Sequence, residues 1–371
     1  MNFLQQERIV LEEFLPTLDA KLEKIPLLEM ESRGNPAIQI FRELGGPGLL
    51  IPRECGGLGV TPLQLIQIQR AIASRSPSLA VATTMHHSTV VALLESATDE
   101  SVYGLLQMIA QQNLYLASAF AEGQTNTSIL TPNVKVEQTS DGLIVSGSKR
   151  PCSLSVSMDF LTASALVPSK SGGESQLALV LIPANSSGIE RRPFWNSWVL
   201  NGAESDEVIL NQVFVPEECI SYLSGKNNLG FARGLLWFEL LVCASYLGAA
   251  SALVERTILA RKGSPNERVL LSMELEGATA ALESIAHLII FGDISDAALA
   301  RAIFVRHTVQ QAIERAVMLA AELLGGMAFI KSNEVAYLLA TSRALAFHPP
   351  SRLSVASALD QYLAGEPLIL P

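Results

Sequence analysis

The sequence predicts a multidomain α and β fold: an N-terminal all-α domain over residues 1–112, a central β-barrel-like domain over 113–224 and a C-terminal antiparallel four-helix bundle over 225–371. Two observations divide the chain this way. Apolar residues recur at helical spacing in the first and last parts, whereas the middle carries short runs of β-branched and aromatic residues alternating with polar ones. Clusters of Gly, Pro, Ser and Asn punctuate the boundaries between runs.

The elements follow in order. Gly45-Gly46-Pro47-Gly48 and Gly56-Gly57 break the N-terminal helical pattern. Thr61-Pro62 then supplies an N-cap and a first-turn proline for LQLIQIQRAIA, and Ser76-Pro77 repeats the device for LAVATTMHHSTVVALLE. In NVKVEQTSDGLIVSGSK the alternation surrounds Asp141-Gly142, a hairpin signal. DFLTASALV, SQLALVLIP and EVILNQVFVP read as further strands. After Gly230, helices are expected near 231–262, 267–291, 295–324, 333–346 and 351–364, with Asn333 and Ser351 as caps.

At 371 residues, 49% hydrophobic and 17% charged, the chain can bury a large core, and disorder is not expected. A net charge of -10 without a cluster of Lys and Arg argues against nucleic acid as a partner. Cys55, Cys152, Cys219 and Cys243 show neither C-x-x-C nor metal-ligand spacing, so reduced thiols and no metal are expected. The opening MNFLQQERIV lacks a signal-peptide apolar core, which makes a cytoplasmic location the expectation. GLLWFELLVCASYLGAASALV is 21 residues long, enough to span a bilayer, but Glu239 and two serines interrupt it. It reads as a helix buried in a bundle or a subunit interface, without a membrane.

Glu239 is the first chemical candidate. A lone acid in so apolar a helix is desolvated, which raises its pKa toward the range a general base needs. The alternative is a carboxylate that faces a polar seam or is paired with a distant Arg. His86 and His87 point about 100° apart on a helix, so they make no metal pair and read as structural or solvent-facing. His348 is the remaining polar standout.

Three stretches resemble the acyl-CoA dehydrogenase superfamily: FRELGGPGLLIPRECGGLGVTPLQLIQIQRAIASRSPSLAVATTMHHS; then SAFAEGQTNTS, DGLIVSGSKRPCSLSVSMDFLTASALV and WVLNGAESDEVILNQVFVPEE; then AELLGGMAFIKSNEVAYLLATSRALAFHPPSR. The resemblance covers roughly residues 35 to 364 in family order and implies the acyl-CoA dehydrogenase fold. It implies FAD between the β domain and the C-terminal bundle, with part of the site from a neighbouring subunit, hence a homodimer or homotetramer. It also implies a small-molecule acyl thioester, most naturally an acyl-CoA, and an electron-acceptor flavoprotein. The reaction would remove a proton α to the thioester carbonyl while hydride goes to flavin N5.

Carried onto this sequence, the resemblance marks Thr127 as a hydroxyl near the flavin phosphates and Glu122 as the acid of the same motif, with Ala121 where the family has Thr. Ser153 falls on the Thr of the family's W-I-T motif, at the flavin edge, and Pro151 replaces the Trp. Gly325 and Gly326 match a Gly pair that lets backbone approach the cofactor. Arg261 resembles the Arg of a turn shortened here to RKGSP. The usual base, the Glu of Y-E-G-T, is replaced by His348. Some members carry the base on the first long C-terminal helix, where Glu239 falls at that position or one residue away. Three readings follow: acyl thioester dehydrogenation with Glu239 as base, a flavin-dependent monooxygenase or oxidase of the same fold fed by a reductase, or a flavin-free binding or assembly subunit.

Overall fold

Small polar residues start the main helices of this chain, and buried cations tie those helices together. The structure is a computed structural model that describes residues 2–96, 100–123, 132–168, 174–222 and 229–370. Its N-terminal part holds α1 (Gln5–Phe14), α2 (Leu18–Glu23), α3 (Leu27–Met30), α4 (Pro36–Glu43), α5 (Pro62–Arg75), α6 (Pro77–Ser96) and α7 (Glu100–Gln112). Thr61 opens α5 with a full capping box. Its hydroxyl accepts from the Gln64 amide, and the Gln64 side chain accepts from the Thr61 amide.

The middle part holds β1 (Leu116–Ala119), β2 (Lys135–Gln138), β3 (Gly142–Cys152), β4 (Phe160–Val167), β5 (Gln176–Pro183), β6 (Ile189–Arg192), β7 (Asp206–Pro216) and β8 (Ile220–Tyr222). They form two four-stranded sheets, ordered β1-β4-β5-β8 and β2-β3-β7-β6. The pairing is antiparallel except for β1 beside β4. The expected hairpin joins β2 to β3, closed by the Thr139 amide donating to the Gly142 carbonyl. Two β7-facing irregularities interrupt β3, the second between Lys149 and Cys152, so the ladder ends with Cys152 opposite Asp206.

The last part holds α8 (Leu229–Leu259), α9 (Pro265–Phe291), α10 (Asp296–Leu324), α11 (Gly326–Lys331), α12 (Asn333–Ser342) and α13 (Arg352–Leu363). Ser264, Ser295 and Ser351 cap α9, α10 and α13. Ser332, rather than Asn333, caps α12: its hydroxyl accepts from the Glu334 amide, which leaves Asn333 as the first helical residue. The helix expected to reach 346 stops at Ser342 and passes into a 3₁₀ turn, Ala344–Phe347, that sets the loop carrying His348.

Among the described residues one helix, Ala232–Leu259 within α8, is long and apolar enough to cross a membrane, yet 89% of its most apolar window is buried inside the protein. It packs against α5 and α6 as well as α9, α10 and α12, so the C-terminal bundle shares its central helix with the N-terminal part. Arg70 of α5 fixes that union. Fully buried, it donates to Glu7 of α1 at 2.6 Å, to Ser251 of α8 at 3.0 Å, and to Glu276 and Thr279 of α9 at 2.7 and 3.0 Å.

His86 is likewise structural. Its Nε2–H donates to the Pro47 carbonyl at 2.9 Å and its Nδ1 accepts from the Leu116 amide at 3.0 Å, which fixes a neutral tautomer. Burial pushes its pKa from 6.5 down to about 4. The unfolded chain therefore binds this proton at a higher pH than the fold does, and stability falls as pH drops from 6.5 toward 4. Urea titrations across that window should show a loss of up to about 3 kcal/mol from His86. A His86→Gln variant, destabilised at neutral pH, should show a correspondingly flatter pH dependence.

Candidate functional site

Glu239 and His348, the two catalytic candidates, are joined by a residue the sequence reading did not single out. On α8 the spacing of Glu239, Cys243 and Tyr246 puts all three on one helical face. Arg306 of α10 meets that face. Its Nη1 donates to both Glu239 carboxylate oxygens, at 2.8 and 3.0 Å, while Nη2 donates to the Leu345 carbonyl at 3.0 Å and the His348 carbonyl at 2.6 Å. Glu239 is 0% exposed and Arg306 1%, so this is an ion pair taken fully out of water. Burial raises the Glu239 pKa above the ordinary carboxylate value, and the guanidinium opposes that rise.

The other groups of this cluster are neutral. Burial pushes the Cys243 thiol and the Tyr246 phenol upward. The Tyr246 hydroxyl is buried and has no hydrogen-bond partner among the described residues. The His348 ring lies 5.4 Å from the Tyr246 ring, centroid to centroid. Desolvation there, reinforced by the nearby Arg306 charge, pushes the half-buried imidazole from 6.5 down to about 4. Its backbone is clamped, while its ring makes no hydrogen bond among the described residues.

A second cluster lies in the β region. Glu122 accepts from Lys149 Nζ at 2.8 Å and from the Asn133 amide at 2.9 Å. Burial works against the Glu122 charge, but Lys149 and Asn133 together hold its pKa below the usual carboxylate range. Lys149 is fully buried on β3, and its Nζ also donates to Ser164 at 3.3 Å. Beside this pair is an open pocket of about 210 Å³ lined by Glu122, Asn133, Val134, Gly147, Ser148 and Arg150. Ser153, just past the end of β3, faces Ser205 across 2.9 Å between hydroxyl oxygens. Thr127 lies outside the described residues.

The remaining candidates stand apart. Arg261 is exposed in the turn after α8, in a left-handed conformation (φ 50°). Gly325 (φ 83°) and Gly326 form the joint between α10 and α11, and a Cβ added at either would meet nothing within 4 Å. Among the described residues no hydrogen bond links Arg261, Gly325 or Gly326 to Glu122 or Ser153. Sequence reasoning missed Arg306, Lys149, Tyr246 and Ser205. The need of a buried acid for a cation, and the four- and seven-residue steps from Glu239, were the available signals for Arg306, Cys243 and Tyr246.

The family model described as "Acyl-CoA dehydrogenase, N-terminal domain" matches residues 10–112. The chain is 43% identical to isobutylamine N-hydroxylase of Streptomyces viridifaciens over 378 residues, covering 99% of this chain and 100% of that protein. Among solved structures it resembles FMN-bound TdsC from Paenibacillus sp. A11-2, with TM-score 0.81, 17% identity and 100% and 99% of the two chains covered. It also resembles the nitrososynthase from Micromonospora carbonacea var. africana, with TM-score 0.76, 19% identity and 98% and 96% covered.

Removing either half of the Glu239–Arg306 pair strands a buried charge. Glu239→Gln and Arg306→Met should each lose about 3–5 kcal/mol in urea unfolding. A Glu239→Met/Arg306→Met double variant should lose much less than the sum of the two. Additive losses would show that the two groups do not act as a pair.

Proposed function

The chain belongs to the acyl-CoA dehydrogenase superfamily of flavoprotein oxidoreductases, and on that premise we propose that it is a flavin-dependent monooxygenase that N-hydroxylates small primary aliphatic amines. The observation that carries this reading is the Arg306 clamp. Dehydrogenation of a thioester needs a free base, and both oxygens of Glu239 are engaged by a guanidinium. The position of the family's usual Glu holds His348, so the carboxylate base that the family ordinarily places there is missing. Thioester dehydrogenation, the leading expectation from sequence, therefore has less support than oxygenation. The full-length likeness to an isobutylamine N-hydroxylase supports the same choice.

The residues present fit a flavin. At Gly325 and Gly326 the backbone is open to close approach. Ser153 and Ser205, 8% and 6% exposed, offer hydroxyls that both donate and accept, the chemistry that the heteroatom edge of a flavin ring requires. We assign Ser153, Gly325 and Gly326 to holding the flavin, with Glu122 and Lys149 bracing the strand that carries Ser153. TdsC was solved with FMN, which supports FMN over FAD as the first ligand to test.

A reduced flavin bound there would supply two electrons to dioxygen, so that one oxygen atom forms the N–O bond and the other leaves as water. The protein's part is positioning. Arg306 holds the backbone carbonyls of Leu345 and His348, which keeps the His348 ring in one place against Tyr246. His348, being neutral, is suited to accept the proton that the amine nitrogen releases as the N–O bond forms. Tyr246, Glu239 and Arg306, at 1%, 0% and 1% exposure, keep the inner side of that region out of water.

Purified protein, given FMN, a flavin reductase, NADH and air, should convert isobutylamine to the hydroxylamine, detected by mass spectrometry. Acyl-CoAs added anaerobically should leave flavin absorbance unchanged. Bleaching by an acyl-CoA, with no amine product, would return the assignment to thioester dehydrogenation. Because only the unprotonated amine is nucleophilic, kcat/KM should rise about tenfold per pH unit below the amine pKa, near 10 as for a lysine side chain. His348→Ala should lower kcat by about 10²-fold, the ordinary contribution of one acid–base group.

A further inference from the structure

Two tight turns face each other where β3 and β7 part. One spans 153–157 after β3, with Leu154 at φ 62°; the other spans 200–206 before β7, with Leu200 at φ 59° and Glu204 at φ 54°. Three non-glycine residues in left-handed conformations persist only where the surroundings dictate them. Here the surroundings are hydrogen bonds running from turn to turn. The Leu154 amide donates to the Ala203 carbonyl at 3.1 Å and the Ser155 amide to the Glu204 carbonyl at 3.2 Å. The Glu204 carboxylate accepts from the Ser157 amide at 2.8 Å and its hydroxyl at 2.9 Å. Ser153 and Ser205 stand at the first positions beyond the final Cys152–Asp206 ladder pair, hydroxyl to hydroxyl.

The 200–206 turn is held from behind by a buried acid. Glu31, 2% exposed, follows α3, and the Gly202 amide donates to its carbonyl at 3.1 Å. Gly202 approaches so closely that a Cβ there would lie 2.4 Å from the Met30 carbonyl oxygen. The Glu31 carboxylate is met by hydrogen-bond donors rather than a cation: Ser76 Oγ at 3.0 Å, the Ser78 amide at 3.1 Å and Ser78 Oγ at 2.6 Å, all at the start of α6, and the Tyr337 hydroxyl of α12. Tyr337 also accepts from the Leu200 amide at 3.0 Å. One carboxylate thus fastens the turn to helices from both ends of the chain.

We infer that Glu31, acting through Tyr337 and the 200–206 turn, is a positioning residue for the flavin edge, and that Ser205 is the second hydroxyl of that edge beside Ser153. This rests on the assignment of flavin to Ser153 made above.

The test uses full-length protein, titration of FMN followed by fluorescence, and amide hydrogen exchange over 200–206. Ser205→Ala should weaken FMN binding about fivefold, as for one lost hydrogen bond, and Ser205→Thr should restore it. Tyr337→Phe, which keeps the ring, should weaken FMN binding similarly and speed exchange at Leu200. Faster exchange at Leu200 with unchanged FMN affinity would overturn the inference, leaving Glu31 as an anchor for stability alone. Equal FMN affinity for Ser205→Ala and the unmodified protein would overturn it even if Tyr337→Phe does not fold. If the unmodified protein binds neither FMN nor FAD, the flavin assignment itself fails, a result distinct from either of these.

Discussion

A guanidinium removed from water has to find its partners in the protein, and Arg306 finds them on two elements at once. Its fork spans a carboxylate on α8 and two backbone carbonyls on the 345–348 segment. That single contact fixes how α8 lies on α10 and where the loop after α12 begins. It also engages both oxygens of the acid that the sequence marks as a candidate base. Arg70 does comparable work between α1, α5, α8 and α9, and Lys149 does so between β3, β4 and the strand-like residue Glu122. In each case a charge buried at a junction is satisfied from several elements, so the elements cannot shift independently.

Much of the fold was readable because it rests on local rules. Thr61-Pro62 and Ser351 announce helix starts through hydrogen bonds made within three residues, and Asp141-Gly142 announces its hairpin the same way. The exceptions were local competitions. Ser332, one residue before the expected cap, is the one whose hydroxyl accepts from the Glu334 amide, and the stretch after Ser342 tightened into a 3₁₀ turn instead of continuing as α-helix.

The site was less legible, since its contacts join residues far apart in sequence. Glu239 drew notice as an isolated acid, but whether it was free or paired depended on Arg306, 67 residues away. Arg306 itself sits in a polar-looking stretch, ARAIFVRHTVQQ, where nothing local distinguishes it from a solvated arginine. Ser153 was reached through resemblance, whereas Ser205 becomes meaningful only once β3 and β7 are known to pair in the register that sets them opposite each other. Glu31 lies further still from notice: an acid in LLEMESRG looks like surface until Tyr337, 306 residues on, closes over it.

The burial of α8 bears on how the protein is made. During synthesis α8 leaves the ribosome before α9, α10 and α12, which cover part of its surface, but after α5 and α6, which cover another part. The N-terminal helices therefore stand ready to receive a segment whose composition would otherwise suit a lipid bilayer or an aggregate. The boundary seen in the strand pattern near residues 116 and 222 separates kinds of secondary structure without separating folding units. A C-terminal fragment produced alone would present α8 with one side bare, so the two helical ends of this chain have to be inherited, expressed and engineered together.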